Sequence, residues 1–320
     1  MVPAGRMALT SVDKLLAAYV TFATVMLAAR GEWTPSAFGL LVMHLLFGVL
    51  LWAFTRPGAD TPLGRSIHAL YPLFLLLPFY AGIGIINDPV GRSTVLANDA
   101  VVQGWEAALF GQQISYTWLR AQPSIFWSAV FHLAYFAYYP IVVLGPVFLV
   151  MRGRLDAARY VMLATMIAFV ICYVVFILYP VAGPYYAFDQ PTGPVREVWS
   201  ARLVYAVLAG GSSFGAAFPS SHVGATLASV LALWRVRPAM GRAFMIPAIL
   251  LTVGTVYCQM HYGIDAISGV AVGAVAFVAA GRFQESREFT ARGTEARRPS
   301  GTANAEQPPP DGKVHDRLHK

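Results

Sequence analysis

His222 and His261 are the residues of this chain best suited to chemistry, because each carries in its own short segment the partners that a reacting imidazole needs. His261 opens the run His261-Tyr262-Gly263-Ile264-Asp265. On a helix that four-residue spacing puts His261 and Asp265 on one face, where the carboxylate can orient the ring and balance its charge. His222 closes the run Phe218-Pro219-Ser220-Ser221-His222. Proline suits the first turn of a helix, so Ser220, Ser221 and His222 are expected in an N-terminal turn. The unpaired amides and positive dipole end of such a turn attract anions such as phosphate, and serine hydroxyls add donors. An oriented histidine can serve as nucleophile or as proton carrier. Each cluster by itself also has a plainer account, the serines as helix caps and the His–Asp pair as a stabiliser of a helix start.

The elements that position these residues are set by composition. Of 320 residues, 57% are hydrophobic and 12% charged, with a mean hydropathy of +0.57, against roughly 25% charged residues in a soluble domain. The chain therefore reads as an integral membrane protein. Runs near the ~20 apolar residues that cross a bilayer as a helix occur at 14–29, 35–55, 68–86, 125–151, 158–180, 219–235, 241–259 and 263–281. The fold class expected is an all-α polytopic membrane helical bundle of about eight transmembrane helices.

Loop charges orient it, since short cytoplasmic loops collect Lys and Arg. With the N-terminus inside, the inner loops carry Arg56, Arg65, Arg152, Arg154, Arg159, Arg235, Arg237 and Arg242 against Asp60 and Asp156. The outer loops carry Arg30, Arg92, Arg120, Arg196 and Arg202 against six acids. Both termini are then cytoplasmic, and His222 and His261 lie at the extracytoplasmic face. Their 39-residue separation matches one span down, a short inner loop and one span back, which returns the second histidine to the depth of the first. The net charge of +7 sits on inner loops and in the C-terminal tail, without a basic patch interleaved with aromatics, so nucleic acid is not an expected partner.

The expected organisation is N-terminal transmembrane helices over 1–86, a catalytic membrane domain over 87–282 and a disordered cytoplasmic tail over 283–320, where Pro, Gly and charge replace apolar residues. The first apolar segment, with Arg6 and Lys14 before it, has some features of a cleavable signal peptide; Asp13 interrupts its basic region, and it is expected to be retained. The 87–124 loop, with Asp99, Trp105 and Glu106, reads as an amphipathic helix lying along the membrane interface. The 181–218 loop carries Gly183-Pro184-Tyr185-Tyr186 and a glycine-rich stretch before His222 that can bring amides close to a ligand. Cys172 and Cys258 stand in apolar segments and read as free packing thiols.

Three other chemistries compete. Two histidines and a carboxylate can hold zinc or iron, but a third good ligand is missing and Asp265 is better spaced to orient His261. Ser221 with His261 and Asp265 could form a hydrolase triad, but no Gly-x-Ser-x-Gly elbow is present. A transporter or scaffold using His and Asp as proton carriers would place them deep within spans, whereas here they cluster at span ends on one side.

Pro219-Ser220-Ser221-His222 resembles the Pro-Ser-Gly-His motif of the type 2 phosphatidic acid phosphatase superfamily, and His261-x-x-x-Asp265 resembles the end of its third motif. Ala217-Phe218, Tyr179-Pro180-Val181-Ala182-Gly183-Pro184, the short His-to-His spacing and the stretch from Asp99 through Glu106 to Leu109-Phe110-Gly111 are most similar to the branch with fungal inositol phosphorylceramide synthase and its bacterial relatives. The likeness covers about residues 95–280. It implies a phosphohistidine mechanism without metal or other cofactor: His261 attacks phosphorus, Asp265 holds its ring, His222 protonates the leaving oxygen and then deprotonates the acceptor, and Ser220 and Ser221 with nearby amides bind the phosphoryl oxygens.

Two departures bear on substrate. The family's Lys-x₆-Arg-Pro has no outer-face counterpart, and its Ser-Arg is replaced by Gly254 and Thr255. Two phosphate-binding cations are thereby missing, which favours a monoanionic phosphodiester over a dianionic monoester; Arg196, in the loop leading to His222, is the expected substitute. Tyr139, Tyr185, Tyr186 and Asp99 are expected to line a lipid cleft, the tyrosines having an interfacial aromatic belt as their other explanation. The resulting expectation is a lipid phosphotransferase moving a phospho-head group, such as phosphoinositol, from a membrane phospholipid to a lipid alcohol. The alternatives are a phosphatase using water as acceptor on phosphatidate or polyprenyl (di)phosphate, and a non-catalytic transporter or scaffold.

Overall fold

The computed structural model describes residues 5–211 and 213–296, with side chains to Phe283. The elements are α1 (Ser11–Arg30), α2 (Pro35–Phe54), α3 (Pro62–Asn87), α4 (Arg92–Phe110), α5 (Ile114–Ala121), α6 (Ile125–Phe136), α7 (Tyr138–Met151), α8 (Leu155–Leu178), the single turns α9 (Pro184–Ala187) and α10 (Pro194–Glu197), α11 (Trp199–Gly211), α12 (Ser221–Val236), α13 (Pro238–Tyr257) and α14 (Gly263–Ala296). No strand occurs among the described residues. Val181 and Ala216 form an isolated bridge that ties the two ends of the 181–218 loop together, with the Val181 amide donating to the Gly215 carbonyl and the Ala217 amide to the Val181 carbonyl, each at 3.1 Å.

Local sequence explains where the helices begin. Thr10 caps α1 in a capping box with Asp13, and Thr34 and Thr61 cap α2 and α3 ahead of Pro35 and Pro62. Each threonine satisfies an amide that the helix leaves unpaired, and each proline lacks the N–H that would otherwise be orphaned. The run expected as one span over 125–151 is two helices broken at Ala137. The break follows from Pro140, whose ring would clash with the Phe136 carbonyl in a continuous helix.

Among the described residues, seven segments are long and apolar enough to cross a bilayer, with α6 and α7 together counting as one. The eighth expected span is α12, which at 16 residues reaches only about 24 Å. It lies against α7, α8 and α13, and most of its residues are buried. The most enclosed of the seven spans is α8, 72% buried over its apolar window against 33–39% for the others. Outward-facing apolar residues such as Leu63, Phe74 and Ile246, each at least 67% exposed, suit contact with lipid and make the chain an integral membrane protein. Helix α14 runs past the expected end of its span to Ala296; the rest of the expected tail, 297–320, lies outside the described residues.

Glycines decide the contact that matters most. A Cβ on Gly269 would stand 2.6 Å from the Ser220 carbonyl oxygen, and one on Gly273 2.7 Å from that of Gly224. Helices α12 and α14 therefore touch backbone to backbone, as small residues allow in membranes. This close crossing brings the start of α12, with His222, beside the start of α14, with Asp265.

Candidate active site

His222 and His261 face each other with ring centroids 5.9 Å apart. Both line a cavity of about 120 Å³. The His261 Nδ1–H donates to Asp265 Oδ2 at 3.4 Å, and the same oxygen accepts the Tyr262 amide at 2.9 Å. Asp265 thus reaches back from the first turn of α14 to hold both the ring and the backbone that carries it. Burial pushes the His261 imidazole down to about 4, against a smaller upward pull from a hydrogen bond to the Ala217 backbone.

The segment before His261 is also fixed. Gln259 takes a left-handed backbone with φ of 59°, which is uncommon outside glycine, and its side chain is held at both ends. Its Oε1 accepts from Arg120 at 2.6 Å, while its Nε2 donates to the Asp189 carbonyl at 3.0 Å and the Pro184 carbonyl at 3.3 Å.

His222 is held by aromatics. Its Nε2 and the Tyr135 hydroxyl are hydrogen-bonded at 3.3 Å, and its ring lies 4.9 Å from that of Tyr135 and 4.6 Å from that of Tyr138. The His222 Nδ1 is buried without a partner. Pro219 does not enter the helix as expected: Ser220 takes the N-cap, its Oγ accepting the Val223 amide at 3.4 Å, and the helix begins at Ser221. Ser220 is fully buried, its amide donates to the Asp265 carbonyl at 3.0 Å, and it does not line the cavity; Ser221 does.

Tyr139, Tyr185 and Tyr186 line the cavity, together with Tyr80, Tyr135, Tyr138 and Tyr173. Asp99 does not. It is buried behind the site, where Oδ1 accepts the Gly183 amide at 2.7 Å and Oδ2 accepts from the Tyr262 hydroxyl at 2.8 Å and Gln103 at 2.7 Å. Arg196 is also away from the lining, its guanidinium stacked 3.9 Å over the Tyr205 ring with a buried, unpartnered Nη1. The other arginines of the set expected on the outer loops are engaged too: Arg30 on Ile86, Asn87 and Ile177, Arg92 over Phe214, Arg120 on Gln259, and Arg202 on Glu197. Among the described residues, no Lys, Arg, Asp or Glu lines the cavity.

Sequence reasoning missed the contribution of α3. Leu76, Leu77 and Tyr80 form one wall, and Tyr80 anchors the loop before α12, its hydroxyl accepting the Ser213 amide and its carbonyl the Ser213 hydroxyl, both at 3.2 Å. Nothing in the α3 sequence separates these residues from ordinary lipid-facing ones. The role of Tyr135 was partly legible from its grouping with Tyr138 and Tyr139.

Fold and site define a polytopic membrane helical bundle in which two histidines and an aspartate meet at a phenol-lined cavity. A model of the PAP2 superfamily matches residues 102–279, more than half of the chain and both histidine motifs, and the chain belongs to that superfamily. It is therefore a membrane protein of the lipid phosphatase and phosphotransferase type. No curated protein and no solved structure matches it.

Proposed function

We propose that the chain transfers a phospho-head group from a membrane phospholipid to a lipid hydroxyl on the extracytoplasmic side of the membrane, in two steps at His261. In the first, the ring nitrogen of His261 that Asp265 does not hold forms a bond to phosphorus while the bond from phosphorus to the diacylglycerol oxygen breaks, and His222 gives that oxygen a proton. In the second, the acceptor hydroxyl attacks phosphorus, the P–N bond breaks, and His222 takes the hydroxyl proton. Asp265 keeps the His261 ring turned so that Nδ1 stays occupied and the other nitrogen is the nucleophile. The observation that carries this reading is the pair of histidines 5.9 Å apart on a cavity lined by Ser221 and phenols but by no Lys or Arg. Such a lining gives hydroxyl donors to a singly charged phosphodiester and no cation to a doubly charged monoester.

The test uses full-length protein in nanodiscs with phosphatidylinositol labelled in the phosphate, with and without an added lipid alcohol. Diacylglycerol release and label transfer should require the alcohol. His261→Ala should lower turnover at least about 1000-fold and His222→Ala about 100- to 10,000-fold, the range of a lost general acid–base. Equal turnover in water alone would make the protein a hydrolase with water as acceptor, and unchanged turnover in both variants would end the proposed chemistry.

A further inference from the structure

Helix α4 is amphipathic in an unexpected sense. Its buried positions are Val95, Asp99, Val102 and Glu106, spaced so that they share one face, while Leu96, Val101, Trp105 and Leu109 face outward. The two acids point into the protein and the apolar residues away from it. Each carboxylate acts only as an acceptor. Glu106 Oε1 takes the Ser115 amide at 3.0 Å, and its Oε2 takes the amides of Gly263 and Ile264. Asp99, two helical turns earlier, takes the Tyr262 hydroxyl and the Gly183 amide.

Three of these contacts fall on consecutive residues, Tyr262, Gly263 and Ile264. Gly263 and Ile264 open α14, and their amides are donors that the helix cannot satisfy. Tyr262 is fully buried between His261 and that start. The space is closed as well, since a Cβ on Gly263 would lie 2.7 Å from the Phe110 ring and 2.9 Å from the Ile114 side chain. From α4 and the start of α5, therefore, the protein grips the turn that carries His261 on one side and Asp265 on the other. Two buried carboxylates whose hydrogen-bond partners are all uncharged are an expensive way to build a brace, because burying charge without a countercharge is costly. An apolar or amide brace would suffice for packing alone.

We propose that Asp99 and Glu106 are positioning residues for His261, fixing the His261–Asp265 turn and supplying a negative field behind the ring. The proposal rests on the phosphohistidine reading given above. When His261 bonds to phosphorus its ring becomes cationic, and the field of fixed carboxylates stabilises that charge in a site that excludes water. The turn also keeps the attacking nitrogen aligned, and misplacement by about 1 Å can cost of order 100-fold in rate.

The experiment uses the full chain, labelled with ¹⁵N-histidine, in nanodiscs containing labelled phosphatidylinositol and a lipid alcohol. Glu106→Gln keeps the volume but turns an amide donor toward a backbone N–H. Tyr262→Phe cuts the Asp99 tie while leaving both carboxylates in place, and serves if Glu106→Gln does not fold. We expect kcat to fall 10- to 100-fold in Glu106→Gln and 3- to 10-fold in Tyr262→Phe, with KM changed less than twofold. The His261 ¹⁵N titration midpoint, assigned with His261→Asn, should move to lower pH in Glu106→Gln. Unchanged kcat, a change in KM alone, or lost kcat with an unmoved His261 titration would overturn the proposal. If the wild type shows neither turnover nor phosphoenzyme, the phosphohistidine reading falls, and the His261 titration alone decides whether Glu106 positions the ring.

Discussion

The two histidines differ in what holds them, and each difference gives a measurable consequence. His261 is tied to Asp265 and sunk in the protein, with its imidazole pushed down to about 4. It is therefore neutral at pH 7, with a lone pair available. Its folded value lies below the ~6.5 of an unfolded chain, so as pH falls the unfolded state binds the proton first. The stability linked to this group is complete above about pH 6.5 and is lost progressively toward pH 4. The denaturation midpoint in detergent should begin to drop below pH 6.5, while single-turnover phosphoenzyme formation should keep its neutral rate to about pH 5; an acid limb at 6.5 would mean that the ring is solvated. The His222 ring is hydrogen-bonded to the Tyr135 hydroxyl and has two tyrosine rings against it. Tyr135→Phe preserves the stacking and removes the hydroxyl, so kcat is expected to fall about 5- to 20-fold with an unchanged melting temperature; a larger stability loss than rate loss would make Tyr135 a packing residue only. Residue chemistry was the most legible level, because histidines and carboxylates are rare enough in an apolar chain to stand out. Their assignment to roles was less so. Ser220 spends its hydroxyl on a helix cap, and Asp99 spends its oxygens on Gly183 and Tyr262.

At the scale of elements, the crossing of α12 and α14 is the joint that assembles the site. Gly269→Ala would drive a methyl to 2.6 Å from the Ser220 carbonyl, and Gly273→Ala to 2.7 Å from that of Gly224. Backbone cannot yield as a flexible side chain does, so each should cost about 1–3 kcal/mol and Gly269→Ala should also separate His222 from Asp265. Thermal unfolding in detergent reads the first effect and turnover the second. Gly48→Ala in α2, where nothing lies within 4 Å, should leave the melting temperature unchanged or slightly raised. If Gly48→Ala and Gly269→Ala behave alike, close backbone contact is not what the glycines are for. Element types followed directly from apolar run length, and the interruption of 125–151 has its cause in Pro140. The inward aim of the α4 acids could not be read in the same way. Periodicity identifies the two faces of a helix but not which face meets protein when the surroundings are themselves apolar.

At the scale of the whole molecule, helices α1–α3 join the same core as the family-matched region. Tyr19 packs at a tilt against Phe79 and Tyr173 at centroid distances of 5.2 and 5.9 Å, and α3 adds Leu76, Leu77 and Tyr80 to the cavity although it lies outside residues 102–279. The orientation drawn from the arginine distribution is open to direct measurement. Cys172 and Cys258 are buried, so new cysteines report cleanly. Thr192→Cys, exposed in the loop that leads to the site, should react with a membrane-impermeant maleimide on intact cells, and Arg154→Cys, exposed between α7 and α8, only after permeabilisation. The reverse pattern would put the cavity on the cytoplasmic side.

Sequence by itself determined that this is a helical membrane protein, that His222, His261 and Asp265 carry its chemistry-bearing motifs, and that the cations usual around such motifs are missing. These properties are local or additive: hydropathy sums along a run, charge sums over loops, and a four-residue spacing fixes a helix face. Only the tertiary structure decided what surrounds the motifs. The phenol lining comes from α3, α6, α7, α8 and α9, the grip on the His261 turn comes from residues more than 150 positions away, and Arg92, Arg120, Arg196 and Arg202 are drawn into ring and loop contacts. Such placements depend on which helices touch and at what depth, and that is set by backbone contacts like Gly269 on Ser220, which no spacing along the chain encodes.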